Sequence, residues 1–152
     1  MRLTRTLVCS MVAAGCLSVP ALAALGGGAA SVEADRASLS GTLRVSSAAG
    51  YAVHEIKAAS GLTVHEYVSA EGKVFAVSWR GPRIPDLRQM LGSSYEAFEQ
   101  ARAATPTHYD HRHLSIETPQ LVVQSSGYLR SFVGRAWVPA LLPQNFSVTS
   151  ID

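Results

Sequence analysis

A glycine recurs every eleven residues in the early part of the chain, and this spacing constrains the fold more than any other feature. The units read SGTLRVSSAAG, YAVHEIKAASG and LTVHEYVSAEG, followed by KVFAVSWRGP, so that Gly50, Gly61 and Gly72 fall in register. Each unit has about eight residues rich in β-branched and aromatic types and then a small-x-Gly triplet, which is typical of a strand followed by a three-residue hairpin loop. The pattern predicts four antiparallel strands in a meander, with left-handed glycines in the loops.

A Val-His-Glu triplet occurs in two successive units and ends in His54-Glu55 and His65-Glu66. A hairpin loop over residues 59–61 places His54 opposite Glu66 on one face and Glu55 opposite His65 on the other. Because the histidines then lie on different strands and opposite faces, they cannot share an ion as the two histidines of a helical zinc motif do. We interpret the repeat as two reciprocal cross-strand pairs, each worth roughly 0.2 to 1 kcal/mol.

The two pairs also predict how the histidines are protonated. A facing carboxylate favours the charged imidazolium, so the pKa of each histidine should lie above the usual value of about 6.5 unless burial offsets the pairing. A raised pKa contributes stability that fades as the pH climbs through it, so Glu66→Gln should cost more at pH 5.5 than at pH 8.5.

The predicted three-residue loops also assign the apolar side chains of the meander to two faces. It predicts the cross-strand pairs Ala58–Leu62, Ile56–Val64 and Tyr67–Phe75. The expected main core is the face with Leu43, Val45, Val53, Tyr67, Phe75, Val77 and Trp79. The other face holds Ile56, Val64, Val68 and Val74 among polar groups.

A helical pattern follows the sequence GPRIP, which ends the meander at residues 81–85. Asp86, with Gln89 three residues later, resembles a capping box. Apolar residues then recur at helical spacing as far as Ala104, namely Leu87, Met90, Leu91, Tyr95, Phe98 and Ala101. Gly92 interrupts the pattern at a cost of up to about 1 kcal/mol, so two shorter helices are an alternative to one long helix.

The remaining strands are predicted in LSIET, QLVVQ and YLRSFVGRAWV. A loop over Ser125-Ser126-Gly127, of the same small-x-Gly type, sets Val123 opposite Leu129. The sequence PALLP, at residues 139–143, contains two prolines and is expected across an edge or an apolar face. The fold class is therefore α+β: a mainly antiparallel sheet, made of a four-strand meander and a C-terminal hairpin, packed with one helix.

Residues 1–23 have the features of a secretory signal peptide. Arg2 and Arg5 precede an apolar stretch, and small residues lie at the positions that a signal peptidase reads in VPALA. The mature chain should therefore begin near Ala24, with a flexible leader over residues 24–38 and a single domain over 39–152. The apolar stretch is too short for a transmembrane anchor. An alternative takes AAGC as a lipoprotein site that would leave Cys16 acylated.

The mature chain would carry little net charge and no cysteine. Arg2 and Arg5 are two of the 13 basic residues, against 11 acidic residues, and Cys9 and Cys16 are the two cysteines of the chain. With no basic run elsewhere, a nucleic-acid or anionic-membrane role has no electrostatic support. The fold must hold without disulfides although the expected compartment would permit them.

The densest group of metal-binding residue types lies in HYDHRH, with His108, Asp110, His111 and His113 inside six residues. Imidazole and carboxylate at this density could bind Zn²⁺, Ni²⁺ or Cu²⁺. The spacing matches no closed tetrahedral pattern, however, and a solvated polar loop is the competing interpretation. Trp79 and Trp137 could stack on sugars, but each ends an apolar strand and is expected to be buried.

No catalytic motif stands out in the sequence. No G-x-S-x-G elbow occurs, and the three glycines at 26–28 precede any predicted strand, so neither a hydrolase triad nor a nucleotide site is predicted.

Several segments together resemble the proteobacterial secreted family known as domain of unknown function 2844. They are GTLRV, YAVHEI, EYVSAEGKVFAVSWRGPRIPDLRQMLG and LVVQSSGYLRSFVGRAWVPALLP. The resemblance implies an exported bacterial protein and brings no catalytic residue and no cofactor with it. The stretch THYDHRH lies between the resembling blocks.

We therefore expect a secreted or periplasmic, non-enzymatic α+β protein that binds a protein or small-molecule partner, with no cofactor, no nucleic acid and no transmembrane anchor. The alternative is a periplasmic divalent-metal-binding protein that uses the cluster from His108 to His113.

Overall fold

The computed structural model describes residues 25–104 and 113–152, which form three helices and seven strands. The helices are α1 (Ala29–Ser38), α2 (Leu87–Leu91) and α3 (Tyr95–Ala104). The strands are β1 (Gly41–Ala48), β2 (Tyr51–Ala58), β3 (Thr63–Ser69), β4 (Val74–Gly81), β5 (His113–Glu117), β6 (Val122–Tyr128) and β7 (Ser131–Trp137). Short 3₁₀ turns occupy Gly92–Ser94, Pro139–Leu141 and Val148–Ser150.

All seven strands belong to one sheet, in the order β1-β2-β3-β4-β7-β6-β5. Every neighbouring pair in this sheet is antiparallel. The predicted α+β class with an antiparallel sheet is therefore confirmed, although the described residues contain three helices where the sequence predicted one.

The glycines of the eleven-residue units lie in the hairpin loops with positive φ, at 85° for Gly50, 83° for Gly61 and 76° for Gly72. Such angles are strained for side-chain-bearing residues, which explains the recurrence of glycine. The β2–β3 register has Ile56 opposite Val64, as predicted. The β1–β2 loop is one residue shorter than predicted, because Ala48 pairs with Tyr51.

The predicted Tyr67–Phe75 pair is wrong because β3 and β4 contain a bulge. Val68 lies opposite Val74, as a three-residue loop requires, but Tyr67 lies opposite Ala76. Phe75 is the extra residue on β4, and a bulge of this kind leaves one residue unpaired and bends the strand. The pairing of every later residue of β4 is shifted by this insertion.

The shorter first loop and the bulge also correct the predicted division of the core. The main cluster includes the set that we had assigned to the minor face, Ile56, Val64, Val68 and Val74, together with Val77 and Trp79. Leu43 packs against the edge of this cluster, whereas Val45 is 53% exposed on the edge strand. All three helices contribute buried side chains to this face, including Val32, Met90 and Phe98.

The opposite face of the sheet carries a second, aromatic cluster. Tyr67, Phe75, Ala76, Trp137 and Ile151 are its buried members. The C-terminal segment covers them, with Leu142, Phe146 and Val148 packed against the cluster. The expectation that the PALLP segment crosses an apolar face is met by Leu142.

Two short helices replace one long helix between Asp86 and Ala104, as the alternative interpretation allowed. The Asp86 carboxylate caps α2 by accepting hydrogen bonds from the backbone N–H groups of Arg88 (2.9 Å) and Gln89 (3.4 Å). Gly92, with a φ of 48°, ends α2. A 3₁₀ turn then changes the direction of the chain before α3 begins.

The predicted loop over residues 125–127 is wrong, because all three residues lie inside β6. The β6–β7 turn falls instead at Leu129 and Arg130, whose φ angles are 43° and 65°, and Val123 pairs with Ala136. Gly127 does not form a turn. It lets the Phe132 side chain approach the backbone of β6 closely. A Cβ at Gly127 would lie 2.1 Å from Cδ1 of Phe132.

The predicted leader over residues 24–38 is also corrected, because residues 25–38 are packed against the sheet. Leu25 is fully buried, and its N–H donates to the Met90 carbonyl (3.2 Å). The segment continues into α1, whose buried residues are Ser31, Val32 and Asp35. The predicted signal peptide at 1–23 lies outside the described residues.

Candidate functional site

The two predicted His-Glu pairs are both present in the β2–β3 register, but they have different surroundings. His54 lies opposite Glu66, and Glu55 lies opposite His65. The second pair is half-exposed: Nε2 of His65 lies 3.3 Å from Glu55, and Lys57 Nζ approaches the same carboxylate at 3.1 Å. Hydrogen bonds from Lys57 and then His65 lower the pKa of Glu55. This pair therefore behaves as the sequence predicts, as a cross-strand contact.

The His54–Glu66 pair is not the predicted ion pair. Glu66 is only 1% exposed, and within the described part of the chain neither of its oxygens meets a hydrogen-bond donor. Burial lowers the pKa of His54, whose Nδ1 is likewise buried without a partner there. The prediction that both histidine pKa values rise is therefore wrong for His54, because desolvation outweighs the attraction of a neighbouring carboxyl.

Glu66 contacts a second carboxyl, that of Asp35 on α1, which is also 1% exposed. Two carboxylates together contain no donor, so a hydrogen bond between them requires a proton on one of them. Burial, and next the hydrogen bond and charge of Asp35, raise the pKa of Glu66 to about 9. Burial also raises the pKa of Asp35, against the opposing effect of its hydrogen bonds to Glu66 and Gln89. With its pKa raised in this way, Glu66 would keep its proton near neutral pH and could donate it to Asp35.

Helix α2 supports this acid pair through Gln89. The Gln89 side-chain N–H donates to Asp35, and its carbonyl oxygen accepts a hydrogen bond of 2.8 Å from Ser38. Gln89 therefore links the two helices to each other instead of completing the capping box with Asp86. Sequence reasoning missed Asp35 because it lies in the segment that we expected to be a flexible leader.

A groove of about 370 Å³ opens on the helix-covered face, between the α2–α3 arm and strands β5 to β7. Its apolar lining consists of Ile84, Leu87, Tyr95, Phe98, Leu114 and Phe132. Small residues of the sheet, including Ser125 and Gly127, also line the groove. A volume of this size is within the range of small-molecule sites.

The charged residues of the groove lie at its rim. The guanidinium of Arg88 stacks 4.7 Å from the centre of the Tyr95 ring. Arg102 is paired with Glu99 at 2.8 Å, and Asp86 is engaged in capping α2. The rim therefore offers Arg88 as an exposed cation beside an aromatic surface.

A larger cavity of about 510 Å³ is lined by Arg80, Arg135 and Asp152, among others. The side chain of Arg135 already donates to the Gln124 side chain at 3.0 Å and to the Val148 carbonyl at 3.2 Å. Ser78 and His65 contact the Asp152 carbonyl. These polar groups hold the C-terminal segment in place, so the cavity is a weaker candidate site.

Of the predicted metal cluster, His108, Asp110 and His111 lie outside the described residues. His113 is exposed at the start of β5 and lines the groove. Within residues 25–104 and 113–152, no three histidine, cysteine or acidic side chains are grouped so that they could hold a metal ion. Metal binding by the cluster stays a prediction. Trp79 and Trp137 are 2% and 8% exposed, which confirms their expected burial.

The described residues define an α+β protein in which one antiparallel sheet carries helices on one face and a C-terminal segment on the other. The chain belongs to the DUF2844 family, because the family model described as a protein of unknown function (DUF2844) matches residues 21–151. No curated protein and no solved structure gives a significant match. None of the described helices is long and apolar enough to cross a membrane.

Proposed function

We propose that the protein is an exported, non-enzymatic binding module that takes a small molecule with a flat apolar body and an anionic group into the groove beside Arg88. The observation that carries the proposal is the pairing of an aromatic and aliphatic floor with one stacked, exposed guanidinium at the rim. An aromatic ligand would displace water from the floor. Its anionic group would form a charge-assisted hydrogen bond with Arg88.

The burial of the Asp35–Glu66 pair supports a non-enzymatic role. A shared proton between two carboxyl groups is an arrangement that enzymes use for acid-base chemistry. Here both side chains are 1% exposed beneath α1, so a substrate could not reach them in this conformation. Export is supported by the signal-peptide pattern of residues 1–23, and the near-zero charge of the remaining chain gives nucleic acid no electrostatic attraction.

The test uses two probes that differ only in charge at one end. Indole-3-acetate carries a flat apolar body and a carboxylate, whereas indole-3-ethanol has the same body and a neutral hydroxyl. NMR titration of the mature protein should show indole-3-acetate shifting the amides of Leu114, Ser125 and Gly127. We expect this probe to bind with a Kd below about 1 mM and more tightly than indole-3-ethanol.

Two arginine variants provide the matched comparison. Arg88→Met should weaken indole-3-acetate about tenfold, because a charge-assisted hydrogen bond is lost, and should leave indole-3-ethanol unchanged. Arg83→Met removes an exposed arginine that does not line the groove and should change neither affinity. Shifts confined to other surfaces, or equal losses for both probes in Arg88→Met, would contradict the proposed site.

A further inference from the structure

Helix α1 lies between two segments of the chain that are fixed to the sheet. Before the helix, Gly26 has a φ of 86°, and after it Ser40 has a φ of 47°. The N–H of Gly26 donates to the Val74 carbonyl at 2.7 Å, and the N–H of Val74 donates to the Gly27 carbonyl at 2.9 Å. After Ser40 the chain enters β1 and is paired with β2. The helix is therefore held between two anchors on the sheet.

The buried side of α1 meets the sheet through one polar group. Ser31 donates to the Gly28 carbonyl within its own segment, and Val32 enters the main core. Asp35 is the buried residue of α1 that meets a polar side chain of the sheet, the Glu66 carboxyl on β3. The protonation of these two acids therefore affects how well α1 packs against the sheet.

We propose that α1 is a proton-dependent strap: the proton shared by Asp35 and Glu66 holds the helix against the sheet, and loss of that proton releases it. With the proton gone, two negative charges would face each other in a site that water does not reach. Burial of such a pair is costly without a cation. Release of α1 restores water to both groups and removes Val32 from the core, which exposes the apolar surface beneath. The proposed release of α1 does not depend on ligand binding in the groove.

No described cation is placed to replace the proton. The residues that face the pair from the packed elements are His54 of β2, Gln89 of α2, Val77 of β4 and, next to His54, Val45 of β1. Arg36 on α1 is bonded instead to Glu33 and to the Gly41 carbonyl. Arg88 on α2 is exposed and stacks on Tyr95.

The sign of the pH dependence follows from proton counting. In the closed form the pKa of Glu66 is about 9, against the ordinary 4.5 that exposure would restore. Opening therefore releases a proton between these values, and the ratio of open to closed molecules should rise about tenfold per pH unit. His54 acts in the opposite sense below its ordinary pKa of 6.5, because burial lowers its pKa and opening lets it take up a proton. The dependence should consequently be steep above pH 6.5 and shallow below it.

Amide hydrogen exchange of the mature protein, corrected for the intrinsic pH dependence of exchange, measures this opening. From pH 6.5 to pH 8.5 the protection of α1 amides should fall about hundredfold, which is one proton over two pH units. Amides in the centre of β3 and β4 should be more strongly protected than those of α1 at both pH values, because they exchange only when the whole sheet unfolds. If the α1 amides are as strongly protected as the central strands at both pH values, or if α1 shows no change, the strap is wrong.

Two further measurements, a carboxyl titration and hydrogen exchange in variants, test the proposal independently. The carboxyl ¹³C signal of Glu66 should titrate near pH 9 in the wild-type protein, and a midpoint near 4.5 would overturn the proposal even if no variant folds. Glu66→Gln can still donate to Asp35 but cannot ionise, so its α1 protection should not vary between pH 6.5 and 8.5. The control Glu33→Gln removes an exposed acid of the same helix and should retain the wild-type response. A hundredfold change that survives in Glu66→Gln would also overturn the strap.

Discussion

Glu66 and Glu55 are neighbours of histidine in the same repeated triplet, yet their chemistry differs because the sheet has two faces. Glu55 lies on the half-exposed face, where Lys57 and His65 lower its pKa. Glu66 lies beneath α1, where burial and Asp35 raise its pKa to about 9. The pairing could be predicted from the repeat, since the β2–β3 loop has the predicted length and no bulge interrupts these two strands. The protonation could not be, because it depends on Asp35, thirty-one positions away in a segment with no sheet-forming pattern.

Glu66→Gln should therefore make the protein more stable than wild type at high pH, whereas the loss of an ion pair with His54 would not make it more stable at any pH. A carboxyl whose folded pKa is raised contributes stability that is fully present below the unfolded value of 4.5 and is lost as the pH rises towards 9. The wild-type free energy of unfolding should fall by up to about 1.4 kcal/mol per pH unit in this window, and the glutamine variant should not share that loss.

Urea unfolding at pH 5.5 and pH 8.5 measures the difference. Relative to wild type, Glu66→Gln should gain between about 1 and 4 kcal/mol on going from the lower to the higher pH. Glu33→Gln is the control, because the pKa of Glu33 is lowered by Arg36 and both pH values lie above its titration. Both interpretations make the substitution less costly at pH 8.5, so the sign at that pH decides: a variant that is still no more stable than wild type at pH 8.5 would restore the ion-pair interpretation.

At the scale of elements, glycine has two uses that the sequence does not distinguish. In Ala59-Ser60-Gly61 it supplies a positive φ for a hairpin loop, whereas in Ser125-Ser126-Gly127 it makes room inside β6 for Phe132. The deciding information is the side chain on the neighbouring strand, which a local pattern does not contain. The bulge at Phe75 was also missed. The loop before it has the predicted length, so the local sequence gives no sign of the extra residue.

Gly134→Ala and Gly72→Ala should separate these two uses. A Cβ at Gly134 would lie 2.2 Å from Cζ2 of Trp79, a residue 2% exposed in the main core. Overpacking of this kind costs about 1 to 3 kcal/mol, and we expect the upper end with a change in tryptophan fluorescence. Gly72 has open space around it but a φ of 76°, so alanine there should cost only about 1 to 2 kcal/mol through backbone strain and leave the fluorescence unchanged. Equal fluorescence changes in both variants would contradict the close-approach role of Gly134.

At the scale of the whole molecule, a single sheet can be apolar on both faces because the C-terminal segment covers one of them. Phe146 packs against Phe75 and Tyr51 with ring centres 4.8 and 5.1 Å away. The helices cover the opposite face. Apolar residues on both faces could be identified from the sequence, but their coverings could not, because neither PALLP nor the segment at 25–38 has a strong periodic pattern.

The predicted signal-peptide cleavage lies just before a residue of the main core. Cleavage after Ala23 would keep Leu25, which is fully buried, in the mature chain. Mass spectrometry of the periplasmic fraction should find a chain that starts at or near Ala24. A matched Ala23→Arg variant should block processing at this position and accumulate the uncleaved precursor, because the peptidase requires a small residue there. A mature chain beginning at a lipidated Cys16 would contradict the prediction. That chain would be an anchored protein, in which residues 17–24 join the lipid to the fold.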